Sequence, residues 1–256
     1  MATITSTERP PESGILKKRR SPSTPKLPEI RPTRSWYSKG KVILDYTLAV
    51  LISLIAVPVT LLAMLLVKLT SRGPALYSQT RVGLNGKPFT IWKIRSMRHK
   101  CESLTGACWS KPGDPRITLI GKVLRASHID ELPQLWNVLR GEMSLVGPRP
   151  ERPEFVPQLE KAIPLYSGRL SVRPGVTGIA QIQLPPDTSL DSVRAKLSYD
   201  LHYVRHMNLF LDLRIILGTM CKLFCFPFSA IRWLLGFRGC EAIRNEYHQL
   251  CKPQSK

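Results

Sequence analysis

One stretch of the chain constrains its fold more than any other. Residues 42–67, VILDYTLAVLISLIAVPVTLLAMLLV, are apolar almost throughout and carry one charge, at Asp45. A helix of this length is long enough to cross the hydrocarbon core of a membrane. A secretory signal would have a shorter apolar region nearer the N-terminus and a small-residue cleavage site, so cleavage is not expected. The stretch predicts a helix that stays in the membrane.

Pro58 and the flanking charges leave two ways of inserting this helix. Pro58 divides the stretch into halves of about a dozen residues, each roughly half a bilayer deep. Lys39 and Lys41 precede it, and Lys68 and Arg72 follow it. Because both flanks are basic, the positive-inside rule assigns no orientation. From the residues alone, a spanning helix and a re-entrant hairpin bent at Pro58 both stay open.

The charge of the chain restricts its partners. Lys and Arg total 38 against 18 Asp and Glu, a net charge of +20. Such a surface favours nucleic acid, anionic lipid head groups or phosphorylated small molecules. Residues 1–38 are rich in Pro, Ser and Thr and contain KKRR, which predicts a disordered basic arm. We expect this arm to touch anionic lipid, and a nuclear-localisation or nucleic-acid role is the alternative.

The cysteines indicate a reducing compartment. The six cysteines form no CxxC pair and lack histidines at zinc-ligand spacing, so neither a zinc site nor a disulfide framework is predicted. Reduced thiols fit a protein that faces the cytoplasm.

Beyond the apolar stretch the pattern changes to short strands. Residues 75–77 and 89–92 flank Asn85-Gly86, a turn dipeptide, and predict a β-hairpin. The second strand ends in Lys93, Arg95 and Arg98, whose alternation places them on one face, suited to phosphate oxygens. A solvated edge strand is the alternative. Residues 101–116 predict an irregular loop.

The stretch from Ser127 to Pro150 holds the candidate reactive groups. Pro133 is tolerated only near a helix start, so Asp130 and Glu131 are predicted at or near a helix N-terminus. The N–H groups and dipole there favour ionised carboxylates, which serve as nucleophiles or metal ligands. A solvated helix cap is the alternative. The predicted apolar face of this helix comprises Ile129, Leu132, Leu135, Trp136 and Leu139.

The remaining segments complete an α+β prediction. Helices are expected over residues 151–166 and 190–218, and a turn and short strand over 171–183. The tail mixes Phe, Trp and Arg, which is typical of a helix lying on lipid, although a docked amphipathic helix is nearly as compatible. The predicted domains are the arm (1–38), the membrane helix (39–70), a small, mostly helical catalytic domain (71–220) and an interfacial tail (221–256).

Paired carboxylates, arginines and a membrane helix together favour phosphoryl chemistry at a lipid surface. Phosphoryl transfer needs charge neutralisation, alignment, often a divalent cation and sometimes a carboxylate nucleophile. Two other interpretations stay open. A nucleic-acid-binding module would explain the charge, but no binding-domain motif accompanies it. A non-catalytic membrane scaffold would keep the apolar elements without needing the carboxylates.

Four runs in colinear order resemble the bacterial sugar transferases, the monotopic polyprenyl-phosphate phosphoglycosyl transferases. The resemblance covers about residues 40–220. It implies transfer of a sugar phosphate from a UDP-sugar to undecaprenyl phosphate at the cytoplasmic face of a bacterial inner membrane, with release of UMP. The runs are LTSRGPALYSQTRVGLNGKPFTIWKIRSMR (69–98), DPRIT (114–118), IDELPQLWNVLRGEMSLVGPRP (129–150) and RPGVTGIAQ (173–181).

The resemblance also implies roles for individual residues. Asp130 would be the nucleophile that forms a phosphosugar-aspartyl intermediate, and Glu131 its partner near Mg²⁺. The family's Pro-Arg-Pro motif, here residues 148–150, is associated with the nucleotide. Members have a re-entrant hairpin, although many carry Ser-Pro at the bend where this chain has Val57 before Pro58. The substrate-binding candidates are Lys93, Arg95, Arg125, Pro148, Arg149, Pro150 and Arg173.

The implied partners are a UDP-sugar, polyprenyl phosphate, membrane lipid and downstream glycosyltransferases, with no nucleic acid and with a homodimer left open. The pattern does not identify the sugar or the glycan pathway.

Overall fold

The computed structural model describes residues 30, 32, 35–99, 101, 113–187 and 189–252. These residues form a mixed, mostly helical fold with small sheets, which confirms the α+β prediction. Most of the predicted basic arm, and residues 102–112 of the predicted loop, lie outside the described residues. The helices are α1 (Ser35–Thr70), α2 (Leu119–Ala126), α3 (Gln134–Leu139), α4 (Val156–Ala162), α5 (Ile179–Gln183), α6 (Leu190–His206), α7 (Leu209–Leu223), α8 (Phe228–Leu234) and α9 (Cys240–Leu250), and the strands are β1 (Leu76–Val82), β2 (Pro88–Ile94), β3 (Ser144–Val146) and β4 (Gly175–Thr177).

Helix α1 is one long apolar helix of 36 residues with Pro58 inside it. By length and composition, its segment Lys39–Thr70 is able to cross a membrane. The helical hydrogen-bond pattern continues through Pro58, which is exposed. A narrow stripe of α1 is buried against the rest of the protein, while most large apolar side chains on its other faces are exposed. The buried stripe comprises Tyr37, Lys41, Asp45, Ala49, Ala56, Ala63 and Val67.

The predicted β-hairpin is confirmed. Strands β1 and β2 pair antiparallel from Leu76 opposite Ile94 to Val82 opposite Pro88. They are joined through a 3-10 turn in which Asn85 has φ 54° and Gly86 has φ 77°. Glycine and asparagine adopt these left-handed angles at the lowest cost, which is why the dipeptide predicted the turn. Both strands are longer than expected.

The sequence did not predict a second sheet, in which two short strands pair in parallel. The short strand expected within residues 171–183 is β4, and it pairs with β3. A side chain at Gly175 is excluded, because a Cβ atom there would lie 2.1 Å from the backbone nitrogen of Gly147. This close approach places Gly147, directly ahead of the Pro-Arg-Pro segment, against the first residue of β4.

Two predicted helices differ in extent. The helix expected over 190–218 is two helices, α6 and α7, because Met207 is extended (ψ 130°) and Asn208 starts a new helix by accepting a hydrogen bond from the Leu211 N–H. The helix expected over 151–166 shortens to α4, which lies between Pro153 and Pro164. Proline disfavours helical conformation in the residue before it.

Glu246 fastens the C-terminal helix α9 to α6. Its carboxylate contacts His202 Nδ1 (2.8 Å), Arg205 Nη1 (2.6 Å) and His206 Nε2 (3.0 Å). The two imidazoles and Glu246 are close enough to hold a metal ion, but Arg205 and Arg238 already pair with the carboxylate. We therefore interpret this group as an ion-pair network between helices.

Candidate active site

Asp130 and Glu131 lie on a 3-10 turn, Ile129–Glu131, between α2 and α3. The preceding residue, His128, has φ 56°, a left-handed conformation that turns the chain after α2. The N–H of Glu131 donates to the His128 carbonyl at 3.1 Å. The predicted location at or near a helix N-terminus is confirmed, because the pair lies in this 3-10 turn and directly ahead of α3, which begins at Gln134.

The apolar face predicted for this segment is only partly correct. Leu135 is buried, but the predicted core residue Trp136 is 57% exposed. The 3-10 turn and Pro133 change the rotation of the chain ahead of α3, so a helical wheel started at Ile129 has the wrong phase. The buried residues of α3 are Gln134, Leu135, Asn137 and Val138.

Asn137 fixes the turn against the hairpin. Its side-chain amide donates to the Thr90 carbonyl at 2.7 Å and accepts from the Trp92 N–H at 3.3 Å. These bonds hold β2 beside α3, and Lys93 follows directly in β2. The hairpin therefore places the Lys93 ammonium group beside the Glu131 carboxylate.

Glu131 is clamped between two cations. Lys93 Nζ and Arg149 Nη2 each lie 2.7 Å from Glu131 Oε1, and Arg149 Nη1 lies 3.4 Å from Oε2. Burial would raise the pKa of this carboxyl, but the charges and hydrogen bonds of Arg149 and Lys93 outweigh it and hold the pKa well below its usual value. Glu131 is ionised at neutral pH.

Asp130 is in the opposite situation. It is buried, with 7% of its surface exposed, and its carboxylate has no hydrogen-bond or ion-pair partner among the described residues. Burial, and then the neighbouring charge of Glu131, raise its pKa to about 6, against the lowering effect of Lys93, Arg125 and Arg149. Asp130 is therefore mostly ionised at pH 7, as the sequence predicts, although its pKa lies above the usual value for aspartate.

The other arginines predicted to bind substrate, Arg95, Arg125 and Arg173, do not contact the two carboxylates directly among the described residues. Arg95 does not join Lys93, because its guanidinium donates to the carbonyls of Ser71 and Arg72 just after α1. Arg125 donates to Ser96 Oγ at 2.8 Å, and its charge reaches Asp130. Arg173 is half-buried in the loop before β4. The structure thus brings together Lys93, Arg149 and the two carboxylates, with Arg125 nearby.

The Pro-Arg-Pro segment is held by its three carbonyls. The Pro148 carbonyl accepts from the Gly175 N–H at 2.9 Å. The Arg149 carbonyl accepts from Arg169 Nη2 at 2.7 Å, and the Pro150 carbonyl from Arg81 Nη1 at 3.2 Å. Sequence reasoning identified neither arginine, because isolated arginines in a basic chain carry no positional signal.

Lys222, on α7, is another residue that the motifs missed. Its Nζ donates to the Gln181 carbonyl at 2.8 Å. Burial, followed by the charge of Arg149, lowers the Lys222 pKa, and Glu131 opposes this effect. Its ammonium group therefore belongs to the electrostatic surroundings of the carboxylate pair.

The donor set fits Mg²⁺ through carboxylate oxygens, the ligands that this ion prefers. Asp130 has no competing partner among the described residues. Among the described residues, Glu131 Oε2 has one hydrogen-bond partner, Arg149 Nη1 at 3.4 Å, and the Arg149 side chain is 46% exposed. Magnesium in phosphate enzymes takes one or two carboxylates and completes its shell with water and substrate phosphates.

Comparison with known proteins supplies independent findings. The model of the family described as bacterial sugar transferase matches residues 36–225. The chain is 44% identical over 185 residues to a UDP-glucose:undecaprenyl-phosphate glucose-1-phosphate transferase of Caulobacter vibrioides, covering 72% of this chain and 69% of that protein.

Two further relatives are longer than this chain. It is 44% identical over 163 residues to a UDP-N-acetylgalactosamine-undecaprenyl-phosphate N-acetylgalactosaminephosphotransferase of Aeromonas hydrophila, covering 64% of this chain and 38% of that protein. It is 40% identical over 180 residues to an Escherichia coli UDP-glucose:undecaprenyl-phosphate glucose-1-phosphate transferase, covering 70% and 39%. The chain thus spans less than two fifths of these two relatives.

Proposed function

The chain belongs to the bacterial sugar transferase family, and from this premise we propose that it transfers a sugar 1-phosphate from a UDP-sugar to undecaprenyl phosphate. The products are UMP and the lipid-linked diphosphate sugar. The activities of the relatives support this reaction class, but the relatives differ in the sugar, since one is a UDP-glucose transferase and another a UDP-N-acetylgalactosamine transferase. The test is a UMP-release screen of purified protein with polyprenyl phosphate and a panel of UDP-sugars. Absence of release with every donor would overturn the proposal.

The observation that carries the proposal is the contrast between the two adjacent carboxylates. Glu131 is neutralised by Lys93 and Arg149, whereas Asp130 has no partner among the described residues and is mostly ionised at neutral pH. A nucleophile needs an available lone pair, and the electrophilic phosphorus of a diphosphate needs cations beside it. Both requirements are met within one short turn and its neighbours.

In the first step, an oxygen of Asp130 attacks the β-phosphorus of the UDP-sugar. The bond from that phosphorus to the oxygen bridging the two phosphates breaks, and UMP leaves with that oxygen. The sugar phosphate is then bonded to Asp130 as an acyl phosphate. Lys93 and Arg149 stabilise the charge that shifts onto the phosphate oxygens.

In the second step, a phosphate oxygen of undecaprenyl phosphate attacks the same phosphorus. The bond to Asp130 breaks, which returns the carboxylate and forms the diphosphate linkage. We propose that Asp130 and Glu131 hold Mg²⁺, which, when bound, would offset the repulsion between anionic substrates and the carboxylates.

The pH dependence of UMP release should report the ionisation of Asp130. Because the nucleophile must be ionised, kcat/KM should fall about tenfold per pH unit below an apparent pKa near 6. Lys93 lowers this pKa, so Lys93→Gln should move the acid limb to higher pH. A pH–rate series from 4.5 to 8.5 on both proteins measures this. An unmoved limb would show that another group controls it.

We propose that α1 is re-entrant, with both ends at the cytoplasmic face of a bacterial inner membrane. Both ends contact the same domain: near the start Lys41 pairs with Asp212, and just beyond the end Arg95 binds the Ser71 and Arg72 carbonyls. Between them α1 contacts α3 and β3, and its residues Ala63 and Val67 share an apolar cluster with Ile94 and Leu124. A helix that left the domain to cross the bilayer would not make contacts at both ends.

Cysteine labelling tests this topology. In a background without native cysteines, Ser38→Cys and Arg72→Cys should both react with a membrane-impermeant maleimide from the cytoplasmic side of sealed inverted vesicles. Both should be protected in right-side-out vesicles, with detergent-solubilised protein as the control for reactivity. Labelling of the two positions from opposite sides would establish a spanning helix.

A further inference from the structure

A buried ion pair, Arg169 with Asp200, contacts the main chain of the Pro-Arg-Pro segment. Arg169 and Asp200 are 8% and 2% exposed, and Arg169 Nη2 lies 2.8 Å from Asp200 Oδ2. Asp200 belongs to α6 and Arg169 to a 3-10 turn, Tyr166–Ser171. A buried pair of this kind is weak support for stability by itself, because desolvation offsets its attraction. Its contacts point to another role.

The same nitrogen of Arg169 makes two bonds in different directions. Nη2 donates to Asp200 Oδ2 and, at 2.7 Å, to the carbonyl oxygen of Arg149. Nη1 donates to Tyr166 Oη at 3.0 Å. Since an Nη nitrogen has two hydrogens, one is available for each acceptor. The carboxylate of Asp200 is thus linked through one atom to the backbone of Arg149.

The local sequence explains why a side chain supplies the bond to the Arg149 carbonyl. Arg149 stands between two prolines, which have no N–H to donate and which restrict the backbone to extended conformations. The segment therefore has few backbone bonds of its own to hold it. The planar, fork-shaped guanidinium of Arg169 supplies a rigid donor in place of a strand neighbour.

The position of the Arg149 backbone decides where its side chain reaches. That side chain is 46% exposed and bonds Glu131 at 2.7 Å. We propose that Asp200 and Arg169 are positioning residues, which hold the main chain of Arg149 so that its guanidinium meets Glu131 and the donor diphosphate. This inference rests on the proposed function. It adds two residues of the domain interior to the site without any contact between them and the substrate.

A double-mutant cycle tests the proposal. The variants are Arg149→Ala, Arg169→Lys and their combination, each assayed for UMP release with purified full-length protein. Arg169→Lys keeps the charge next to Asp200 but loses the two-nitrogen fork. We expect each single change to lower kcat/KM by about tenfold or more, with most of the loss in KM for the UDP-sugar. The combination should then be no more than about threefold worse than Arg149→Ala, because the residues act as one unit.

A merely structural role gives a different result. If Arg169 only supports the fold, its substitution lowers the melting temperature and active fraction, and its effect multiplies with that of Arg149→Ala. Glu246→Gln is the matched control, since it removes a carboxylate that bonds the other end of α6. It should lower the melting temperature and leave KM for the UDP-sugar unchanged. Multiplicative effects, or an equal KM change in the control, would overturn the proposal.

A second variant keeps the test possible if Arg169→Lys does not fold. If Arg169→Lys is not recovered folded, Asp200→Asn, which keeps the shape of the side chain, is carried through the same cycle. Absence of UMP release by the unmodified protein would mean that the proposed function fails. If the unmodified protein is active and the Arg169 or Asp200 variant has the same kcat/KM and KM, only the positioning inference fails.

Discussion

Asp130→Asn is expected to abolish UMP release, with a loss on the order of 10⁴-fold or more, as removal of a catalytic nucleophile causes in other enzymes. The amide has nearly the same shape but no anionic oxygen to attack phosphorus. Because Asp130 makes no hydrogen bond or ion pair with the described residues, the substitution breaks no contact there. Membrane association and melting temperature should therefore stay close to those of the unmodified protein.

The control for this variant is Asp191→Asn, at an 88% exposed carboxylate that pairs with Arg194 at the start of α6. It should release UMP at the normal rate. With a UDP-sugar and no lipid acceptor, intact-protein mass spectrometry should detect a sugar-phosphate adduct on the unmodified chain and none on Asp130→Asn. Normal turnover by Asp130→Asn would remove this residue as the nucleophile.

Glu131→Gln is expected to reduce UMP release by about 100-fold or more and also to destabilise the protein. The substitution leaves Lys93 and Arg149 without their shared counter-ion. Removing one partner of a fully buried pair costs roughly 3–5 kcal/mol, and the cost here is smaller because Arg149 is 46% exposed. Part of that cost should be recovered when the substrate phosphates bind. UDP should therefore raise the melting temperature of Glu131→Gln more than that of the unmodified protein.

The pH profile separates this effect from simple damage. Glu131 raises the pKa of Asp130, so its neutralisation should move the acid limb of the residual activity to lower pH, opposite to the shift expected for Lys93→Gln. Glu154→Gln, which breaks a more exposed ion pair with Arg152, is the control and should change neither rate nor profile. A full rate with unchanged Mg²⁺ dependence in Glu131→Gln would contradict the role of this residue.

Local sequence signals predicted the features that depend on neighbouring residues. The turn at Asn85-Gly86 was found because only a few residue types adopt left-handed angles cheaply. The apolar helix was found from its length alone. The adjacency of Asp130 and Glu131 is a fact of the sequence, and it identified the reactive stretch before any geometry was known.

Errors arose where the chain departs from one regular helix or strand. The wheel that placed Trp136 in the core assumed an uninterrupted α-helix, whereas His128 and Pro133 divide the segment into a 3-10 turn and a short helix. The predicted strand pattern placed Arg95 on one face with Lys93. In the structure β2 ends at Ile94, one residue before Arg95, and the Arg95 side chain binds a carbonyl just beyond α1.

The sequence by itself determined the membrane-length helix, the hairpin, the carboxylate pair and the family, because each is encoded in contiguous residues. Only the tertiary structure decided that the two carboxylates differ. Lys93 comes from β2 and Arg149 from the segment after β3, and both bind Glu131, while Asp130 is buried without a partner among the described residues. Burial and opposite charge act through space, so two neighbours in sequence acquire opposite pKa shifts that no local pattern contains.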